Sequence, residues 1–269
     1  MTHPKLRAAI YGHAVGDALG LPVQFQPRGS FKIESMTGYG TFNLPPGSWS
    51  DDTSLTIASC DSLRELDGRV EPADIFSRFE DWYFRNRYTP FNQAYDIGGT
   101  TARAIETGKG ETGFYSNGNG SLMRLLPLAF TDATDEQIEQ VSALTHAHEI
   151  ARLACVIYIR VARALLTETD FSLDYPEPFQ RLKNLTNLCE SEIKSSGYIV
   201  DSLEAALSCL LTTRDYSECV LKAVNLGGDT DSIAAIAGGL AGIKYGFDAI
   251  PKDWLYALQA KDVIESCLF

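Results

Sequence analysis

SWSDDTSL (48–55) sets Asp51 and Asp52 between hydroxyl side chains, and GGDTDS (227–232) sets Asp229 and Asp231 on either side of Thr230, with Ser232 next. Each runs into an apolar pattern of helical spacing, so each has a plain reading as a capped helix start. Ser and Asp are favoured N-caps, and an acid in the first turn gains roughly 0.3–1 kcal/mol from the helix dipole. Taken together the two stretches ask for more. Carboxylates brought from two distant segments onto facing helix ends would repel strongly without a cation. Oxygen-only donors (the aspartates, the hydroxyl of Ser50 or Thr53, and that of Ser232) suit Mg²⁺, Mn²⁺ or Ca²⁺ rather than zinc. Neither stretch is an EF-hand, because the donor run stops early and no Glu closes a twelve-residue loop.

Gly227 and Gly228 would let the backbone approach a ligand at positive φ. Beyond them, Ala234, Ala235, Ala237, Gly238, Gly239, Ala241 and Gly242 give a helix almost without bulk, expected at the centre of the fold as a rigid mount for ligands. The rest of the chain is helical in pattern: LRAAIYGHAVGDALG, TSLTIASCDSLREL, ADIFSRFEDWYF, ARLACVIYIRVARALLTE and SLEAALSCLLTT all space apolar residues by three and four. Starts are expected at Pro4, Asp52–Thr53, Pro72 and Asp201–Ser202, and stops at Gly68, Gly108 and Gly246. The expected fold is all-α: one domain over residues 1–269, a compact orthogonal bundle of ten or more helices with a metal centre at a central cleft. Two long Gly/Pro/Asn-rich connections, 21–48 and 106–120, belong to a site more naturally than to a core. GKGETG (108–113) fits a dinucleotide fingerprint in letters only, since a helical pattern precedes it where a strand is required.

The 269 residues are 45% hydrophobic, with a net charge of −12. That balance argues against nucleic acid and anionic membranes as partners, because both need clustered Lys and Arg. The six cysteines form no CxxC pair and read as small buried hydrophobes in a reducing compartment. No apolar run is long enough to span a bilayer and the N-terminal stretch lacks a signal-peptide core, so a cytoplasmic monomer is expected.

GDALG (16–20), WSDDTSL (49–55), DIGGTT (96–101), SNGNGSLMR (116–124), THAH (145–148) and GGDTDSIAAIAGGLAGIKYG (227–246) together resemble the ADP-ribosylglycohydrolase family, in the family's order and over nearly the whole chain. The resemblance implies hydrolysis of the N- or O-glycosidic bond between ADP-ribose and a protein side chain at a centre of two Mg²⁺ (or Mn²⁺). The implied metal ligands are Ser50, Asp51, Asp52, Asp229, Asp231 and Ser232. Asp96, with Gly98 and Gly99, would approach the target side chain, although Asp96 could instead cap the helix that follows. Ser116, Asn117, Gly118, Asn119 and Gly120 would cradle the diphosphate, as their own composition suggests for an anion-binding nest. His146 would lie at the adenosine end, or be an ordinary satisfied helix residue.

One position departs from the family pattern. GDALG is commonly followed four residues later by an acid, and here Gln24 stands in its place. An amide cannot take a proton from water as a carboxylate does. Either Asp52, or another of the acids Asp51 and Asp231, is the base and Gln24 a positioning group, or the protein binds ADP-ribose with weak or no turnover. Asp96 tilts the target towards arginine over serine. A phosphate-ester hydrolase would use the same ligands but needs cations for the phosphate, and only Arg124 and Lys244 lie near the acidic stretches.

Overall fold

The computed structural model describes residues 4–269. Among them there is no strand, only isolated bridges. Eleven α-helices follow in order: α1 Pro4–Gly20, α2 Asp51–Glu65, α3 Pro72–Arg85, α4 Gly99–Thr107, α5 Asp135–Ala143, α6 Glu149–Thr167, α7 Ile199–Thr212, α8 Tyr216–Asn225, α9 Thr230–Tyr245, α10 Lys252–Ala257 and α11 Lys261–Ser266. A single hydrophobic cluster runs through them from Leu6 to Leu268. Gly108 and Gly246 close α4 and α9 at positive φ as the sequence leads one to expect. Two starts are displaced: α2 begins at Asp51 and α7 at Ile199.

α1 and α9 form the axis of the molecule. Both are buried on every side, α1 from Ala8 to Gly20 and α9 from Thr230 to Ile243, which is why neither shows an amphipathic face. They touch through small residues four apart. Gly12 lies on Gly238, Gly16 on Ala234, Gly20 on Asp231 and Gly242 on Ala8, and a Cβ at any of these glycines would run into the facing backbone. The partner numbers fall on α9 as they rise on α1, so the helices are antiparallel. The C-terminal end of α1 is thereby laid beside the N-terminus of α9. α8 and α7 cover α9, and α2 lies against both axial helices.

Candidate metal centre and cleft

Three helix ends meet at one point: the last turn of α1 and the first turns of α2 and α9. Asp17, fully buried on α1, ties the first two together. Its carboxylate accepts from the Ser50 N–H (2.9 and 3.0 Å), the Thr53 N–H (3.1 Å) and the Thr53 hydroxyl (2.6 Å). It thus satisfies the free donors at the start of α2. Asp17 is absent from the ligand set expected from the sequence. The signal was there, an acid set among the small and apolar residues of GDALG. Ser50, the N-cap of α2, accepts from the Asp52 N–H and donates to Asp52 Oδ2 at 3.1 Å.

The α9 end closes on the same carboxylate. Ser232 Oγ donates to Asp52 Oδ2 at 3.1 Å, joining stretches 180 residues apart, and its N–H binds Asp231 Oδ1. One oxygen from each of Asp17, Asp52 and Asp231 lies within 4.8 Å of the others. Asp52 Oδ1 and Asp231 Oδ2 are buried and have no partner. Gly227 and Gly228 adopt positive φ where the backbone comes against the 25–28 segment and Ser195. Asp229 accepts from Asn119 Nδ2 at 2.6 Å.

Burial is the first cause of a raised pKa at every one of these acids, and repulsion by neighbouring carboxylates adds to it at Asp51, Asp52, Asp96 and Asp231. Asp51, Asp52 and Asp231 stand well above the usual carboxylate range, and Asp229 is raised as well. Asp17 is pushed up to about 6 despite its hydrogen bonds. Asp96 joins the cluster, raised to about 7 by burial and the neighbouring acids. It does not cap α4, whose N-cap is Gly98. Its backbone sits at φ +58 in the left-handed region, where Asp is tolerated, and its Oδ2 has no partner. The Gln24 amide lies beside the carboxylates of Asp96 and Asp229 and lowers both pKa values, while its own buried Oε1 is unpartnered.

Residues that fit a hard divalent cation should offer unpaired anionic oxygens in a dry, crowded site. Asp52 Oδ1 and Asp231 Oδ2, buried and unpartnered beside Asp17, offer such oxygens once ionised, and so the residues present fit the group.

Above the cluster opens a cleft of about 320 Å³. Asp51, Asp229, Ser232 and Gln24 line its acidic end, Asp96 with Gly98 and Gly99 one wall, and Gly118, Asn119, Gly120 and His146 the other. The 117–119 loop is pinned to the start of α7, with Asn119 N–H donating to Gly197 O and Ile199 N–H to Asn117 O. Two expected loop residues stay outside. Ser116 turns to Glu111 (2.8 Å), and Asn117 lines a neighbouring hollow with Tyr115 and Tyr198. His146 is buried, held by Thr145 through Nδ1 (2.7 Å) and kept neutral by burial, its pKa lowered to about 3. Neither candidate phosphate cation lines the cleft: Arg124 is buried behind it and Lys244 reaches Leu210 O. All six cysteines are free, five of them buried. GKGETG follows α4, with no strand before it.

A family model described as ADP-ribosylglycohydrolase matches residues 2–268. The chain is 32% identical over 285 residues to ADP-ribosylarginine hydrolase Tri1 of Serratia proteamaculans (strain 568), covering 97% of this chain and 77% of that protein. It is 32% identical over 277 residues to ADP-ribosyl-[dinitrogen reductase] glycohydrolase of Rhodospirillum rubrum, covering 96% and 92%. A solved structure described as an ADP-ribosylglycohydrolase-related protein complex matches with a TM-score of 0.79 at 30% identity, over 98% of this chain and 95% of that one.

Proposed function

The chain belongs to the ADP-ribosylglycohydrolase family and is a hydrolase of glycosidic bonds; from that premise we propose that it removes ADP-ribose from arginine side chains of modified proteins, using divalent cations held by the acidic cluster. The observation that carries the metal reading is the pair of buried, unpartnered oxygens, Asp52 Oδ1 and Asp231 Oδ2, on facing helix ends. Asp52 and Asp231, supported by Ser50, Asp51, Asp229 and Ser232, would hold two Mg²⁺ (or Mn²⁺). Such ions supply charge neutralisation, a grip on vicinal ribose hydroxyls and a lowered pKa for an attacking water.

The residues of the chain do the rest. Asp17 fixes the α2 end, and with it Ser50 and Asp52, against α1. Asp51, Asp52 and Asp231 are the candidate acceptors for the proton that water loses as its oxygen bonds to the ribose anomeric carbon and the C–N bond breaks. Asp96, with its pKa near 7, can hold or release a proton beside the leaving group. Gln24 sits beside Asp96 and Asp229, lowers both pKa values and leaves Oε1 to accept from a substrate hydroxyl or water. Gly118, Asn119 and Gly120 receive the diphosphate, and His146 the adenosine end. Arginine is favoured over serine because no Lys or Arg lines this acidic cleft, so a guanidinium is drawn to Asp96 where a neutral serine is not. The same reading makes the chain one domain over 1–269 that works as a cytoplasmic monomer. No helix among the described residues is long and apolar enough to cross a membrane.

Release of ADP-ribose from mono-ADP-ribosylated arginine and serine peptides, with Mg²⁺ or with EDTA, tests this reading. Arginine release that EDTA abolishes is expected. An Asp231→Ala variant as fast as wild type would sink the metal reading. A silent wild type beside an active Gln24→Glu variant would make the protein an ADP-ribose binder.

A further inference from the structure

Arg124 is a buried charge without a counter-ion. It is fully buried on the short turn Leu122–Arg124, just after the loop that forms one wall of the cleft. Its guanidinium donates to the carbonyls of Gly120 and of Val141 (3.2 Å) and lies 4.7 Å from the Phe79 ring centroid. Its Nε has no partner. Among the described residues no carboxylate hydrogen-bonds it, and Asp51 reaches it only through space.

An unpaired buried charge is expensive, and most are matched by an acid in contact. The fork onto two backbone carbonyls supports the loop, but a neutral donor could do that without the penalty of burying a cation. Burial lowers its pKa only to about 10, so it is charged at neutral pH. Its field is felt in the cleft: after burial, Arg124 is the next cause of the depressed pKa of His146, which lines the wall. The cleft itself presents acids at one end and no Lys or Arg anywhere along its lining.

We propose that Arg124 is the positioning cation for the ligand's diphosphate, drawing the anion onto the Gly118–Gly120 loop from behind without touching it. The fork also engages the Gly120 carbonyl oxygen, the group on that loop that would repel a phosphate. A buried cation serves this cleft better than a surface one. It stays clear of the carboxylate cluster, which a flexible Lys or Arg at the wall would fold onto and neutralise. The inference rests on ADP-ribose being the ligand, as argued above.

Calorimetric titration with ADP-ribose, ADP and adenosine at constant MgCl₂ tests it, using wild type, Arg124→Met and Arg124→Lys, each checked by thermal melting. Loss of the charge in Arg124→Met is expected to weaken ADP-ribose and ADP about tenfold or more, and adenosine less than about threefold. Arg124→Lys, which keeps the charge and loses the fork, retains most of the preference for the phosphorylated ligands. Equal weakening of all three ligands, or none, makes Arg124 a loop support only and overturns the proposal. The wild type gives a readout that needs no folded variant. A buried charge is little screened, so the preference for ADP over adenosine is expected to change by less than about twofold between 50 and 500 mM NaCl. Collapse of that preference would assign the attraction to exposed cations and equally overturn it. Failure of the wild type to bind ADP-ribose at all is a different result, one that removes the functional reading beneath it.

Discussion

At Gln24 a single atom decides the charge of the cleft. As an amide it lowers the pKa of both Asp96 and Asp229. As a glutamate it would add another carboxylate to six already crowded there. In EDTA at pH 8, Gln24→Glu is expected to lower stability by about 1–3 kcal/mol in urea unfolding, with Mg²⁺ restoring it. No change in the metal-free protein would mean that the amide is not in contact with those acids. Asp17 is the complementary case. Asp17→Asn turns an NH₂ towards N–H donors of Ser50 and Thr53, and the expected loss is about 1.5–3 kcal/mol together with weaker Mg²⁺ binding by calorimetry. Full Mg²⁺ affinity in a destabilised Asp17→Asn would separate its anchoring of α2 from the centre. Ser50, Asp51, Asp52, Asp229, Asp231 and Ser232 stood out in the sequence because their types are wrong for a core and right for a cation, whereas Asp96 and Gln24 stood out only through the resemblance to the family pattern. Asp17 was less legible, because its partners are the backbone donors of Ser50 and Thr53 and the Thr53 hydroxyl, 33 and 36 residues away, and no local pattern reports such bonds.

The helix ends are brought together by the α1/α9 seam, and half of that seam could be read beforehand. The small residues of α9 mark a helix that something approaches closely. They do not say that Gly12, Gly16 and Gly20 do so, nor in which direction. Helix identity follows from local periodicity, whereas pairing is settled by which faces fit, and that is a property of the folded chain. The seam makes a sharp expectation. In Gly16→Ala the new Cβ meets the Ala234 carbonyl, backbone that cannot swing aside. Stability should fall by about 1–3 kcal/mol, and Mg²⁺ should bind more weakly because Asp17 and Asp231 ride on the two helices being pushed apart. Gly68→Ala is the control. Unlike Gly16 it is at positive φ, but it has open space around it, so it should lose about 1 kcal/mol and leave Mg²⁺ binding untouched. Equal Mg²⁺ affinities in the two variants would show that the seam does not set the geometry of the centre.

For the whole molecule the acidic cluster is a standing charge problem whose solution depends on pH. Asp17 at about 6 and Asp96 at about 7 hold protons in the folded chain that they release near 4 when unfolded. Between those values the folded state binds more protons than the unfolded one, so stability falls as pH rises. What these groups contribute is fully present below pH 4 and is lost as pH climbs through about 6 to 7. Asp17 alone is worth on the order of 3 kcal/mol across that window, a sizeable share of an ordinary domain's total. A bound divalent cation reverses the sign, because it needs the ionised carboxylates and protons compete with it. In EDTA the melting temperature is therefore expected to drop from pH 5 to pH 8, and in saturating Mg²⁺ to hold or rise over the same range, so that the two curves separate steadily with pH. The acidic surface of the chain contributes its own repulsion. That part is exposed and is screened at 200 mM NaCl, whereas the buried cluster is not. Parallel curves in EDTA and Mg²⁺ at that salt would mean that the buried aspartates do not hold the cation.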